Sequence, residues 1–299
     1  MSIIVLGTLA LDSVKTPFGE RKNILGGSAA HFSLAARLFT DVHLSAVVGA
    51  DFPQQYIDFL EKKGIILTSL IKSNGGSFRW QGEYKGDLNT AITISTHLGV
   101  LSIFTPTLAR EQRGIEYVFL ANIDPDLQRY LLERMPAVKL AGLDSMNYWI
   151  SNKRKSLLKL LKKIDIYLAN EGEARQLSGE SNLVSAARAL RKLGPPMVVI
   201  KKGEHGVLFY CDDFIYCLPA FPVEKIIDPT GAGDTFAGGF MGYLAKQRKI
   251  RESNIREAVA YGVVCASFNV EGFGLDKTSR LTMQDLNRRL NKLKEIISF

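Results

Sequence analysis

The sequence predicts an α/β protein: a doubly wound, mostly parallel sheet flanked by helices, in a single domain spanning residues 1–299. Two observations carry that prediction. Short apolar runs, several rich in β-branched residues, alternate with amphipathic stretches of helical period. Such alternation folds as strand–helix–strand units whose parallel sheet is covered on both faces. In addition, segments 9–24 and 75–98 break the alternation with strand-like patches, as in Ser77-Phe78-Arg79-Trp80-Gln81-Gly82-Glu83-Tyr84. They read as antiparallel strands outside the main sheet. With 299 residues, 46% of them hydrophobic and 23% charged, the chain can bury a sizeable core.

Strands are expected at 3–6, 42–48, 117–121, 137–143, 165–169 and 196–200, where the apolar runs fall. Helices are expected at 27–39, 54–63, 125–134, 151–163 and 183–193 between them. Two strands, 206–210 and 214–218, read as an antiparallel pair joined by Cys211-Asp212-Asp213. Three helices, 232–247, 252–270 and 282–297, close the chain. No low-complexity tract or internal repeat interrupts this order.

Composition excludes several classes. No apolar run approaches the ~18 residues that span a bilayer, and the start, Met-Ser-Ile-Ile-Val-Leu-Gly, reads as a buried strand rather than a signal peptide. Three cysteines without a CxxC and four scattered histidines give no metal-ligand spacing; free thiols in a reducing cytoplasm are expected. The net charge of +8 suits phosphorylated ligands or nucleic acid. Its lysines and arginines lie mostly in helical segments such as 153–163 and 288–294, which reads as a solvated basic face. Neither a nucleic-acid nor a membrane partner is therefore expected.

The most informative segment is Asp228-Pro229-Thr230-Gly231-Ala232-Gly233-Asp234-Thr235-Phe236-Ala237-Gly238-Gly239-Phe240. Gly231 and Gly233 let successive N–H groups turn into one concavity, and a helix starting near Ala232 adds its free N–H groups and positive dipole end. Such a place binds an anion, most often phosphate. A carboxylate there repels the anion unless it does chemistry, and Asp234 taking a proton from a substrate hydroxyl would be that chemistry. The plain alternative is a capped helix start. The segment resembles the C-terminal signature of ribokinase-like (PfkB-type) sugar and nucleoside kinases, D-x-x-G-A-G-D before a glycine-rich helix. The resemblance implies that Asp234 is the base and that Gly231, Ala232 and Gly233 hold the transferring phosphate.

Other residues fall into place around it. Asp12 follows the first strand at the edge where parallel sheets bind ligands, and its two oxygens can accept sugar hydroxyls. Gly26 and Gly27 open a helix and allow close substrate approach. They resemble the family's first signature, except that His31 stands where Asn is usual, which bears on substrate identity. Asp144 and Asn147 follow another strand end and are further hydroxyl-binding candidates. Asn170 and Glu173 match the family's Asn-x-x-Glu element, implying water-mediated support of Mg²⁺; an acid-capped helix start is the local alternative. Gly203 and Gly206 match a family turn that touches the nucleotide, where Lys202 could meet phosphates, as could Thr230, Gly231 and Gly233. In some members Asp228 and Thr230 join the loop near Gly272 and Gly274 to hold a monovalent cation such as K⁺.

The resemblance covers essentially the whole chain. It implies that segments 9–24 and 75–98 form a β-sheet lid, and that the chain moves the γ-phosphate of ATP to a sugar hydroxyl with Mg²⁺. A nucleoside acceptor, with Phe78, Trp80 or Tyr84 stacking on the base, is the alternative within the family. A catalytically idle sensor of the same fold is the alternative outside it. Pairing of two copies through the lid is a further expectation.

Overall fold

The computed structural model describes residues 1–86, 88–247 and 250–298. The chain enters through β1 (Ser2–Leu6), then leaves the main sheet for a hairpin of β2 (Ala10–Thr16) and β3 (Gly19–Gly26). It returns through α1 (Ser28–Ala36), β4 (Asp41–Gly49), α2 (Gln54–Lys62) and β5 (Ile65–Ser73). A second excursion makes β6 (Arg79–Tyr84) and β7 (Ala91–His97). Strand–helix units follow: β8 (Tyr117–Leu120), α3 (Pro125–Leu132), β9 (Leu140–Asp144), α4 (Asn147–Asn152), α5 (Arg154–Leu161), β10 (Ile166–Asn170), α6 (Glu171–Ser178), α7 (Leu183–Lys192) and β11 (Met197–Lys201). The hairpin β12 (Val207–Tyr210) and β13 (Ile215–Leu218) precedes α8 (Ala232–Lys246), α9 (Glu252–Asn269) and α10 (Met283–Ile297).

The main sheet has the order β13-β12-β11-β10-β9-β8-β1-β4-β5, parallel from β11 to β5 and antiparallel at β12 and β13. Side chains alternate across it, as strand geometry requires. Ile3 and Val5 enter the core under α1, α8, α9 and α10; Ile4 and Leu6 enter the opposite core under α3, α5, α6 and α7. The chain winds from β1 to β4 and β5 on one side, then to β8 and onward on the other. The reversal beside β1 opens a crevice at the carboxyl ends of the strands. No helix is long and apolar enough to cross a membrane among the described residues.

The second sheet, β3-β2-β6-β7, is built from segments 9–24 and 75–98, which were expected to form strands outside the main sheet; Asp87, within the latter, lies outside the described residues. Its strands are not all antiparallel. β2 and β6 run parallel, because α1, β4, α2 and β5 intervene between the two excursions. β5 was not among the strands expected from the sequence; its polar residues Thr68, Ser69, Lys72 and Ser73 suit an edge strand. The helix expected at 151–163 is divided into α4 and α5 at Lys153, whose ammonium pairs with Asp124 at 2.6 Å and Asp126 at 2.9 Å. Cys211, Cys217 and Cys265 are free.

Candidate active site

Asp144, Asn170 and Lys201 are the last residues of β9, β10 and β11, three neighbours in the sheet. Asn170 sits beside Lys201 in register. The crevice floor is therefore built from strand ends, where the rigid sheet fixes the side chains. Lys201 Nζ donates to Asp144 Oδ2 at 2.8 Å; the two side chains are 16% and 6% exposed, which makes the pair an interior one.

The anion loop faces this pair. Gly231 caps α8 in the left-handed region at φ 74°, and a Cβ there would overlap the His31 ring, so the position needs glycine twice over. Of the N–H groups at the head of the helix, that of Ala232 donates to Pro229 O at 3.1 Å and that of Asp234 to its own carboxylate. A Cβ on Gly233 would lie 3.0 Å from Lys201 Nζ, which places the ammonium at the loop. Sequence reasoning favoured Lys202 for phosphate. The structure brings Lys201 to the loop instead, while the Lys202 backbone closes the Gly203–Gly206 turn through its N–H to Gly206 O at 2.8 Å.

Three carboxylates share the one lysine. Burial pushes Asp234 up to about 7, and Asp144 adds repulsion; Lys201 and the backbone N–H of Asp234 pull the other way. Glu173 is likewise pushed up to about 7 by burial and Asp144, against Lys201 and the Asn170 N–H. Burial works against the Lys201 charge, yet Asp144, Glu173 and Asp234 together hold it above the usual lysine range. Asn170 and Glu173 also form the local capping box: Glu173 N donates to Asn170 Oδ1 and Asn170 N to Glu173 Oε2, both at 2.8 Å. The capping and electrostatic roles coexist, since one Glu173 oxygen remains for the cluster.

Asp12 stands at the other end of the crevice. Its Oδ2 accepts Gly27 N–H at 3.2 Å, and it fills the space a Cβ on Gly26 would occupy. Burial pushes Asp12 up to about 7 against the Gly27 bond, with Asp228 and Asp234 adding repulsion. Gly26→Ala should displace the Asp12 carboxylate and raise the KM for the acceptor substrate about tenfold or more, leaving the KM for ATP near wild type. Unchanged acceptor KM in steady-state kinetics would remove Asp12 from the acceptor site.

His31 lies under Gly231 and is 2% exposed; its Nδ1 pairs with Asn269 Oδ1 at 3.0 Å, and Nε2 has no partner among the described residues. Burial holds it below the usual histidine range, so it is neutral. Asp144 serves Lys201 rather than standing free for a hydroxyl. Asn147 is exposed at the start of α4, where its Oδ1 accepts Tyr148 N–H at 2.8 Å. The second sheet closes over the loop: Thr230 Oγ1 donates to the Tyr84 hydroxyl at 3.3 Å, and Asn89 Nδ2 to Glu204 at 3.5 Å. It is the lid. Lys201 and Asn269 were missed from sequence; Lys201 had a usable signal, as the final residue of the strand.

The comparisons with known proteins agree with this geometry. The chain matches the pfkB family of carbohydrate kinases over residues 8–280. It is similar to the cytidine kinase of Thermococcus kodakarensis, with 30% identity over 258 residues, 84% of this chain and 91% of that protein. It is similar to a nucleoside kinase of Methanothermobacter thermautotrophicus, with 28% identity over 277 residues, 91% and 86% of the two chains. In fold it resembles the nucleoside kinase of Methanocaldococcus jannaschii, with TM-score 0.77, 21% identity and coverage of 97% and 98%. It also resembles a putative ribokinase II from E. coli solved with ATP and Mg²⁺, with TM-score 0.82, 18% identity and coverage of 97% and 99%. A family match over most of the chain, together with this agreement, means that the protein belongs to the pfkB family of carbohydrate kinases and is an ATP-dependent phosphotransferase.

Proposed function

We propose that the acceptor is a nucleoside, whose ribose hydroxyl receives the γ-phosphoryl of ATP. The observation that carries this reading is Trp80. Strand β6 pairs Trp80 with Asp12 and Gly82 with Val14, so Trp80 shares the Asp12 face of the lid. Its indole lies flat on Gly82, where a Cβ would overlap the ring, and Nε1 donates to Thr93 Oγ1 at 3.2 Å. A partly exposed, orientationally fixed aromatic face next to a hydroxyl-binding carboxylate suits a base joined to a ribose. The cytidine and nucleoside kinases among the relatives support the same choice.

Asp12 would accept ribose hydroxyls, whereas His31, buried beneath Gly231, would act through the loop rather than touch the acceptor. Asp234 takes the proton of the attacking hydroxyl as its oxygen bonds to the γ-phosphorus and ADP departs. Lys201 and the Gly231 and Gly233 amides stabilise the charge on the moving phosphoryl, where positioning and electrostatics dominate. The Gly203–Gly206 turn, Lys202 and Thr230 are assigned to the nucleotide. Among the described residues no three acidic side chains converge on one metal position, so Asn170 and Glu173 would hold Mg²⁺ through water rather than directly. The metal, when bound, supplies further neutralisation of the phosphate charge. Lid closure over the loop excludes water. Two copies would pair at the lid's outer strand, where Ile92 and Ile94 are exposed, and the free thiols suit a reducing cytoplasm.

Initial rates with Mg²⁺–ATP against cytidine, other ribonucleosides, ribose and fructose test the assignment. Nucleosides should exceed free sugars in kcat/KM by about tenfold or more, and Trp80→Ala should raise the nucleoside KM about tenfold while sparing free ribose. A better rate on ribose or a hexose rejects base recognition. No turnover on any acceptor favours the idle sensor.

A further inference from the structure

The residues that family resemblance offers to a monovalent cation are already occupied by donors of the chain itself. Asp228 is fully buried; its Oδ1 accepts Thr230 N–H at 2.9 Å and its Oδ2 accepts Gly274 N–H at 3.0 Å. The Thr230 carbonyl accepts Asn269 Nδ2–H at 2.8 Å. The Val270 carbonyl, from the same loop, accepts Ile227 N–H at 2.7 Å and Asp228 N–H at 3.3 Å. Each of these oxygens already faces an N–H of the chain, so a cation entering here would share it with that donor.

Asn269 is held in one orientation. Its Nδ2 faces a carbonyl, so its Oδ1 must be the acceptor for both Thr235 Oγ1–H at 3.0 Å and His31 Nδ1 at 3.0 Å. The flipped amide would oppose two oxygens at Thr230. Neutral His31 is therefore the Nδ1–H tautomer, donating to Asn269. The ring of His31 also supports Gly231 from beneath. Through His31, Asn269 and Thr235, the loop from Thr230 to the first turn of α8 is tied to α1 and to the end of α9. A bound cation in such a loop gathers carbonyl and carboxylate oxygens on one side, so that the N–H groups face the phosphate. Here a side-chain amide gathers the Thr230 carbonyl and backbone amides gather Asp228.

We propose that Asn269, oriented by His31, takes the place of a monovalent cation behind the anion loop, so that phosphoryl transfer by this chain does not require K⁺ or Na⁺. The proposal rests on the kinase reading above. Both residues are positioning residues, since neither reaches the phosphoryl itself.

The test compares the purified full chain in K⁺, Na⁺ and tetramethylammonium buffers of equal ionic strength, so that screening is constant. Wild-type initial rates should agree within about twofold, and the melting temperature should not move, because an ion that does not bind the native state cannot stabilise it. Asn269→Ala frees the Thr230 carbonyl. Its rate in tetramethylammonium should fall about tenfold, and K⁺ should restore part of it, a rescue that a merely structural role would not give. A wild-type rate about tenfold lower without K⁺, or a melting temperature raised by K⁺, overturns the proposal. The wild-type comparison decides the matter even if Asn269→Ala does not fold. Absence of turnover in every buffer overturns the kinase reading instead, and the melting comparison still decides cation independence.

Discussion

Asp234→Asn should lower kcat by on the order of a hundredfold or more while ATP still binds, because the side chain keeps its size and loses its basicity. Asp234, the proposed base, sits in the first turn of α8, where the dipole favours the carboxylate, but burial and Asp144 work against the charge and bring it to about 7. That value sets a pH dependence. The base acts only when deprotonated, so kcat/KM of the free enzyme should fall as pH drops through about 7. Asp12 and Glu173 are pushed up to about the same value, so the limb belongs to coupled carboxylates and should be spread over a wider pH range than a single group gives. The stability sign is the opposite. Raised carboxylates bind more protons in the native chain than in the unfolded one. Their contribution to stability is therefore present below the ordinary carboxylate range and lost as pH rises towards about 7. Near-wild-type turnover of purified Asp234→Asn would exclude Asp234 as the base. A flat kcat/KM profile from pH 5 to 8 would exclude the raised cluster.

Lys201→Met should lower kcat by roughly a hundredfold, the loss expected when one donor to developing phosphoryl charge is removed. It also leaves Asp144 buried without its partner, which costs about 3–5 kcal/mol. Two measurements separate the effects. Denaturant unfolding should show the stability loss, and the double variant Lys201→Met with Asp144→Leu should recover much of it, since both charges are gone. Turnover should not recover. Lys201 also opposes the upward shifts of Asp234 and Glu173, so in Lys201→Met the acid limb should move to higher pH. If the double variant regained full turnover, Lys201 would be a structural partner of Asp144 and nothing more.

The placement of these two residues shows how far the sequence reached. The place of Asp234 was legible because it is local: glycines on one side and a helix on the other put it in the first turn of α8. The place of Asp12 after β1 was legible because a strand end is readable from periodicity. Lys201 and Lys202 are adjacent and chemically alike, and one residue's step in a strand turns a side chain to the opposite face. Only the register of β11 against β10 chose between them. Asn170 and Glu173 looked from sequence like either a capping box or metal support. The fold gives them the capping box and sets Glu173 beside Asp144 and Lys201 as well.

The sequence by itself determined the strand–helix alternation, the two excursions into a second sheet, and the glycine turn that opens α8 with Asp234 in its first turn, because each depends on residues close along the chain. Tertiary structure decided the parallel pairing of β2 with β6, the edge strand β5, the Lys201–Asp144 pair and the His31–Asn269 brace. His31 and Asn269 are 238 residues apart. Their bond exists only because α1, α8 and α9 pack on one face of the sheet, and no local propensity or spacing encodes a contact that arises from packing.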